Sequence, residues 1–375
     1  MIDSKNKVLK NILDSANGLH LTIYIKFDGN ILNFRRKLTA LLETPTAHLE
    51  SVLTPEQLNK FLAPIEALAR DNSLLKKMRG NIGVFRKNDL FRCVSLPIEI
   101  EETSVVADTF HIKPLLKWAQ TDQEFLLIGL KYEGATLYKG TQSDFRKIDE
   151  AVYPEALRRY DDDGGYVSLK ERRQQRAELQ HTMEWLSLWV KDLTKNTKTT
   201  VFLAGSNDVV KAFIKNYQSA KLYPETIDGY FSENKAIDII RNIRMILRLD
   251  SQIKISDSLN EFELAKNLKH TKTNIFQIAR AALKGNVRKL VVAEDFSVFG
   301  KLDKHSGGVA IHATDMDHED DCLLDDLAQT VLLNGGEVIV AKKSDIPNGK
   351  VIMAILNNEQ IEIHDSTFRK IEAAV

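Results

Sequence analysis

Apolar positions recur along the chain at spacings near two and near 3.6 residues, and the switches between the two periods lay out the elements. Leu19 to Phe27 is rich in β-branched and aromatic residues and stops at Asp28-Gly29, the pattern of a strand closed by a turn. Asn33 to Glu43 predicts a helix, and Thr54-Pro55-Glu56-Gln57 opens another, with Thr54 as N-cap and proline at the first helical position. Leu58, Phe61, Leu62, Ile65 and Leu68 follow at helical spacing. Ile82 to Phe85 and Phe91 to Pro97 flank Lys87-Asn88-Asp89 as a hairpin. Val105 to Pro114 predicts a strand leading into a short helix that closes near Gln120.

A second region opens with the buried strand Phe125 to Leu130, the turn Tyr132-Glu133-Gly134 and the strand Ala135 to Tyr138. A loop from Tyr153 to Gly165 precedes a long helix from about Ser168 to Leu193. The strand Thr200 to Gly205, a helix beginning near Asn207 and a helix from Lys235 to Leu249 complete this region. In the last third, Leu259 to Leu268 and Ile275 to Lys284 predict helices, and Lys289 to Ala293 a strand. Gly300 to Asp321 predicts a loop. Leu323 to Leu333 predicts a helix stopped by Asn334-Gly335-Gly336, and the strands Glu337 to Ala341 and Val351 to Leu356 follow. Strands alternating with helices point to α/β layers, an α/β (α+β) chain.

Length makes this more than one core, since single cores rarely grow beyond about 250 residues and the chain has 375. A 43% hydrophobic and 28% charged composition is ordinary for a water-soluble protein. Formal net charge is zero, so any affinity for nucleic acid must come from local patches. The two cysteines, Cys93 and Cys322, are too few for a disulfide framework or a cysteine-based zinc site and fit a reducing cytosol. No signal-peptide core or membrane-length apolar run is visible, so a cytoplasmic location is expected.

Three stretches, taken in order, resemble one superfamily. The hairpin from Phe125 to Gly140 is followed by Asp161-Asp162-Asp163-Gly164-Gly165, a long basic helix, and Val201-Phe202-Leu203-Ala204-Gly205-Ser206. This order is similar to the middle domain of the archaeo-eukaryotic release factors and Pelota. In those proteins a Gly-Gly-Gln loop precedes a long helix and a strand ending in Leu-Ala-Gly. Asn274 to Ala293 and Asp325 to Val338 resemble the C-terminal domain of the same proteins. Val105 to Leu116 resembles a segment typical of the bacterial branch, which includes Balon-like ribosome hibernation or rescue factors. The resemblance implies three domains: residues 1–120, a middle domain over 121–254 that is RNase H-like, and 255–375 with the fold of kink-turn-binding ribosomal proteins.

By the same resemblance, the tip loop 161–167, with Asp163, Gly164, Gly165 and Tyr166, would point toward ribosomal RNA at the peptidyl-transferase centre. Glycines let backbone approach a ligand closely, and in release factors the glutamine orients the hydrolytic water. Tyr166 stands in its place, and a phenol is a poor substitute for a carboxamide in a tight site, so no catalytic residue is assigned. The resemblance then implies a factor occupying the ribosomal A site in hibernation or rescue, with an elongation-factor-type GTPase as a possible partner. Two alternatives stay open: a peptidyl-tRNA-hydrolysing release factor with a divergent loop, and an RNA-binding or protein-interaction module away from the ribosome.

Other features have bland and functional readings side by side. Lys170, Arg172, Arg173 and Arg176 open the long helix, either as an RNA-contacting cluster or as a solvated face offset by Glu171 and Glu178. Trp185, Leu186, Leu188 and Trp189 on that helix predict core packing in preference to a base-stacking platform. The run from Lys266 to Lys289 is the most basic stretch, and its Lys269 and Lys272 are candidate RNA contacts against a scattered solvent face as the plain reading. His312, Asp315, Asp317, His318, Glu319, Asp320 and Asp321 match no zinc spacing and predict an acidic exposed loop, so no metal and no cofactor is assigned. His111 predicts a satisfied core histidine.

Overall fold

Phe125-Leu126-Leu127-Ile128-Gly129-Leu130 is apolar at every position, which suits a strand only where both faces of its sheet are covered. The computed structural model has that arrangement. It describes the chain except residues 1–4, 14–17, 79, 132–133, 143, 153–168, 196–198, 230, 268–269, 313–320 and 358–375. The chain divides into two units, Trp118–Ile253 and the combination of Met1–Lys117 with Lys254–Val375.

The first segment contains α1 (Lys5–Leu13), β1 (His20–Ile25), α2 (Ile31–Val52), α3 (Pro55–Arg70), α4 (Asn72–Lys77), β2 (Asn81–Lys87), β3 (Leu90–Leu96), β4 (Thr103–Ala107) and α5 (Lys113–Thr121). The strands form an antiparallel sheet in the order β3-β2-β1-β4. Leu21, Ile23, Ile25, Ile82 and Val84 of this sheet pack on Phe34 and Leu38 of α2 and on Phe61 and Ile65 of α3. Asn30 caps α2 by accepting from the backbone N–H groups of Leu32 and Asn33. Thr54 and Gln57 form a reciprocal capping box at the head of α3, with Pro55 inside its first turn. The sequence pattern ends α2 at Glu43, whereas the helix continues through Pro45 to Val52. Burial of Pro45 and Leu49 on the core offsets the hydrogen bond that the proline cannot donate.

The second unit is built on β5 (Phe125–Leu130), β6 (Gly134–Gly140), β7 (Phe145–Val152), α6 (Leu169–Thr194), β8 (Thr200–Gly205), α7 (Asn207–Asn216), β9 (Ile227–Asp228) and the first part of α8 (Glu233–Asn267). Sheet order is β7-β6-β5-β8-β9. β6 is antiparallel to both neighbours, while β5, β8 and β9 run parallel. This is the RNase H-like topology. Alternate residues of β5 separate two cores. Leu126, Ile128 and Leu130 face Met183, Leu186 and Val190 of α6 and Phe213 of α7. Phe125 and Leu127 belong with Phe231 and with Ala236, Ile240, Ile243 and Leu247 of α8. The periodicity does not announce β7, an edge strand whose exposed Arg146, Lys147, Asp149 and Glu150 suit an unpaired border.

One helix, α8, replaces the two expected over Lys235–Leu249 and Leu259–Leu268. No glycine or proline lies between them to stop it. The hydroxyls of Ser251 and Ser258 donate to the carbonyls of Leu247 and Lys254 at 2.9 and 2.8 Å, so these poor helix formers are satisfied within the helix.

The last segment adds β10 (Thr271–Lys272), α9 (Ile275–Leu283), β11 (Val287–Ala293), β12 (Phe299–Leu302), β13 (Val309–Ile311), β14 (Asp321–Cys322), α10 (Leu323–Leu333), β15 (Glu337–Ala341) and β16 (Ile352–Leu356). Its main sheet runs β10-β16-β11-β15, with β11 and β15 parallel. Val291, Ile339 and Met353 pack with Phe262 and, at their margin, Ile255 and Leu259 of α8. Residues 300–321 are not simply a loop: β12, β13 and β14 make a small sheet in the order β13-β12-β14. Strands of two to four residues are too short to leave a periodic signal.

The helix stop at Asn334-Gly335-Gly336 is a Schellman motif. Gly336 N–H donates to the carbonyl of Val331 at 2.9 Å and Gly335 N–H to that of Leu332 at 3.1 Å, with Gly335 at φ +81°. Only backbone conformation is at issue there, because a Cβ on Gly335 would meet open space. Gly335→Ala should therefore lower stability by about 1–2 kcal/mol, read as a shifted urea midpoint with unchanged slope.

Candidate functional site

The tip-loop residues Asp163, Gly164, Gly165 and Tyr166 lie outside the described residues, as does Lys269. Immediately after that loop, α6 exposes Lys170 and Arg173, which are three residues apart and so neighbours on the helix surface. Arg172 and Arg176 belong to the same helix, with side chains outside the described set. Lys272 belongs to the other unit, half-buried on β10 and paired with Ala354 of β16. In the basic run from Lys266 to Lys289, the cations at both ends are paired with acids. Lys266 pairs with Glu263 at 3.5 Å, while Arg288 and Lys289 both pair with Glu261, at 2.5 and 2.7 Å. The Lys289 hydrogen bond, working against burial and aided by Arg288, holds the Glu261 carboxyl below its ordinary range. Arg280 and Lys284 stay exposed on and just beyond α9.

The expectation of core packing for the tryptophan stretch of α6 needs correction. Leu186 is fully buried and Trp189 packs on the core, but Trp185 is 52% exposed and Leu188 65%. Residues 185, 188 and 189 share a helix face, and it turns outward beyond the ring of Trp189.

The densest polar cluster joins the segment from Thr109 to Lys113 to the start of α10. Asp325 and Asp326 occupy the first turn of that helix and are both buried. Asp325 accepts the backbone N–H groups of Ile112 and Lys113 on one oxygen, at 2.8 and 2.9 Å, and sits 2.6 Å from His111 Nδ1 on the other. The Thr109 hydroxyl bonds Asp326 at 2.7 Å, and the Gln329 side chain donates to the carbonyl of Phe110 at 2.8 Å. Tyr24 donates to the carbonyl of His111 at 2.7 Å, and His111 N–H donates to Thr22 Oγ1 at 3.1 Å. Lys113, itself 2% exposed, donates to the carbonyl of Phe296 at 2.5 Å. Beside this cluster lies a cleft of about 1120 Å³ whose lining includes Lys26, Lys37, His48, Lys117 and Glu294.

Electrostatics divide the two aspartates. Burial alone would push the Asp325 carboxyl up, but the His111 charge and hydrogen bond, with Lys113 behind them, outweigh it and hold it low. For Asp326, burial outweighs the Thr109 hydrogen bond and the Lys304 charge and pushes it up to about 6. Cys322, at the same helix end, is pushed up by burial and by the Asp325 charge, which keeps it a thiol. Every oxygen of Asp325 is committed to a structural partner, so the arrangement fastens two segments together. Among the described residues, no group of three or more His, Cys, Asp or Glu is placed to hold a metal ion.

No protein-family model and no curated protein matches the chain. Among solved structures it is similar to a model of ribosome-bound archaeal Pelota and ABCE1, at 12% identity and a TM-score of 0.40, with 95% of this chain and 94% of that one covered. It is also similar to Dom34 of S. cerevisiae, a translation termination-like factor involved in RNA quality control pathways and interacting with Hbs1. There the identity is 11% and the TM-score 0.39, over 96% of this chain and 95% of that one. The archaeal translation termination factor aRF1 aligns at 14% identity and a TM-score of 0.26, over 94% and 97% of the two chains. Likenesses this loose assign the chain neither an activity nor a partner.

Asp325→Ala strands a half-buried histidine and two backbone donors at once, and should cost about 3–5 kcal/mol. Asp325→Asn, which keeps an acceptor for the backbone groups, should cost less. Urea unfolding of both variants checks the order.

His20 gives a pH signature. It is 2% exposed on β1 with its ring 4.5 Å from that of Phe110, and burial pulls its pKa from 6.5 to about 4. The unfolded chain therefore takes up the proton first, and the His20 contribution to stability falls as pH drops from 6.5 towards 4. Asp326 acts in the opposite sense: its proton is held more tightly in the fold, so its contribution falls as pH rises from 3.8 to about 6. His20→Phe should gain stability relative to the unaltered chain as pH is lowered through that window, in paired denaturation curves at pH 7 and pH 5.

Proposed function

We propose that this chain is a ribosome-directed factor of the archaeo-eukaryotic release factor and Pelota superfamily, from its bacterial branch. In this reading it occupies the A site in hibernation or rescue and does not hydrolyse peptidyl-tRNA. The observation that carries the proposal is the setting of α6. The helix follows the Gly164-Gly165-Tyr166 segment, exposes Lys170 and Arg173, and buries its other face on an RNase H-like sheet whose β8 ends in Leu203-Ala204-Gly205. Exposed cations at a helix start oppose the helix dipole, a small cost that contact with phosphate would repay.

The three-domain division at 1–120, 121–254 and 255–375 belongs to this reading, as do a cytoplasmic place of action and a possible elongation-factor-type GTPase partner. No helix among the described residues is long and apolar enough to cross a membrane. Tyr166 is the argument against hydrolysis, because its ring neither fits nor hydrogen-bonds as the carboxamide of a water-positioning glutamine does.

The purified chain should travel with ribosomes through a sucrose gradient at modest salt and dissociate as salt rises, since phosphate contacts are lost to counterions. Sedimentation only with free protein would defeat the proposal. Ribosomes loaded with peptidyl-tRNA should release no peptide above background on its addition. Release that disappears in Gly165→Ala would instead establish a divergent hydrolase.

A further inference from the structure

Trp185 and Trp189 sit one turn apart on α6 with their rings stacked, centroids 5.6 Å apart and planes 22° from parallel. Trp189 is held against the core of its unit, which fixes the inner ring. Trp185 covers it and is itself half in water, with Leu188 more exposed still. An indole contributes most when its large apolar surface is buried, so the core does not account for the outer ring. A ring stacked on one face and wet on the other presents a flat surface to a third aromatic group.

The surroundings select the kind of partner. The exposed apolar patch amounts to one indole and two leucines, Leu188 and Leu193, interrupted by the exposed charges of Glu184, Lys191 and Asp192. That is too narrow for a protein interface, which needs hundreds of Å². A nucleobase needs only one ring. Glu184 is engaged within the helix by Gln180 at 3.2 Å and faces His181 at 3.9 Å. Towards its start the same helix turns cationic: residues 169–177 include Lys170, Arg172, Arg173 and Arg176 against the single acid Glu171. Lys170 and Arg173 are exposed. Twelve residues separate Arg173 from Trp185, about 18 Å along the axis, a span a short strand of nucleotides covers.

We propose that this face of α6 binds single-stranded RNA, with an unpaired base stacked on Trp185 and backbone phosphates lying along Lys170 and Arg173. Stacking platforms combined with a cationic track are how proteins hold single strands without reading their sequence. The inference rests on the ribosome-directed reading for its biological ligand, but its test needs no ribosome.

The full chain is titrated with a dodecamer of oligoadenylate while tryptophan emission is followed. Of the three tryptophans, Trp118 is buried at 8% exposure, so Trp185 and Trp189 report the stacking. Emission should be quenched to saturation. Trp185→Leu should weaken binding about tenfold, Trp185→Phe should restore part of it, and the double change Lys170→Ala with Arg173→Ala should weaken it and flatten its salt dependence. An affinity unchanged in Trp185→Leu, with circular dichroism matching the unaltered chain, overturns the proposal. So does an absence of oligonucleotide binding alongside self-association that Trp185→Leu abolishes, which would make the face a contact between copies. A chain that pellets with ribosomes yet ignores the oligonucleotide removes this inference and leaves the ribosome reading standing. A chain that binds the oligonucleotide through Trp185 but never pellets with ribosomes does the reverse.

Discussion

Asp325 is buried at the first turn of a helix, where a carboxylate must find partners or give up its charge. It finds them 214 residues earlier in the chain, in the His111 ring and the backbone N–H groups that follow it. The helix end contributes as well, since negative charge is favoured beside its unpaired N–H groups. This group joins Met1–Lys117 to Lys254–Val375 within one unit. Thr109, Gln329 and Lys113 extend the fastening on either side. Such an arrangement is specific because removing any partner leaves the others desolvated and unsatisfied.

The same reasoning explains why two adjacent aspartates behave differently. Asp325 has a histidine and a lysine within its field, and its charged form is held. At Asp326 the Thr109 hydroxyl and the Lys304 charge do not match the desolvation of a full charge, so its proton is retained to a higher pH. Nothing local in the sequence distinguishes two adjacent aspartates at a helix start. Their separate roles exist only once Thr109 and His111 are placed against them.

Elements whose signal is local were legible from residues alone. The uninterrupted apolar run of β5 implied a buried strand, Thr54-Pro55-Glu56-Gln57 announced an N-cap with proline in the first turn, and Asn334-Gly335-Gly336 announced a helix stop. Elements decided by tertiary packing were not. α2 runs through Pro45 because the core rewards burying Leu49, and β7 forms because β6 offers it a partner. β12 to β14 pair with each other over too few residues to show a period. The candidate sites divide in the same way. Val105 to Leu116 and Asp325 to Val338 each stood out by resemblance, yet nothing local told that they meet. Trp185 and Trp189 were both assigned to the core because helical spacing identifies a face and not how deeply that face is sunk.

The two units spend their polar groups differently, and that difference bears on function. In the unit of Met1–Lys117 and Lys254–Val375, many of the cations are consumed internally: Lys113 by a carbonyl, Lys117 by Glu294, and Arg288 and Lys289 by Glu261. Arg86 is 5% exposed and donates to the carbonyls of Phe61 and Lys60 while its guanidinium lies over the Phe61 ring. These groups stabilise the unit's own architecture and have little charge left for a partner. In the unit of Trp118–Ile253, α6 keeps Lys170, Arg173 and the outer indole of Trp185 in water, where they add little to the fold. Groups held in a costly state without a structural return are where binding is to be sought. That reasoning supports the proposal of RNA binding on the helix behind the Gly-Gly-Tyr loop, whereas in the chain's most basic stretch Lys266, Arg288 and Lys289 are paired with acids.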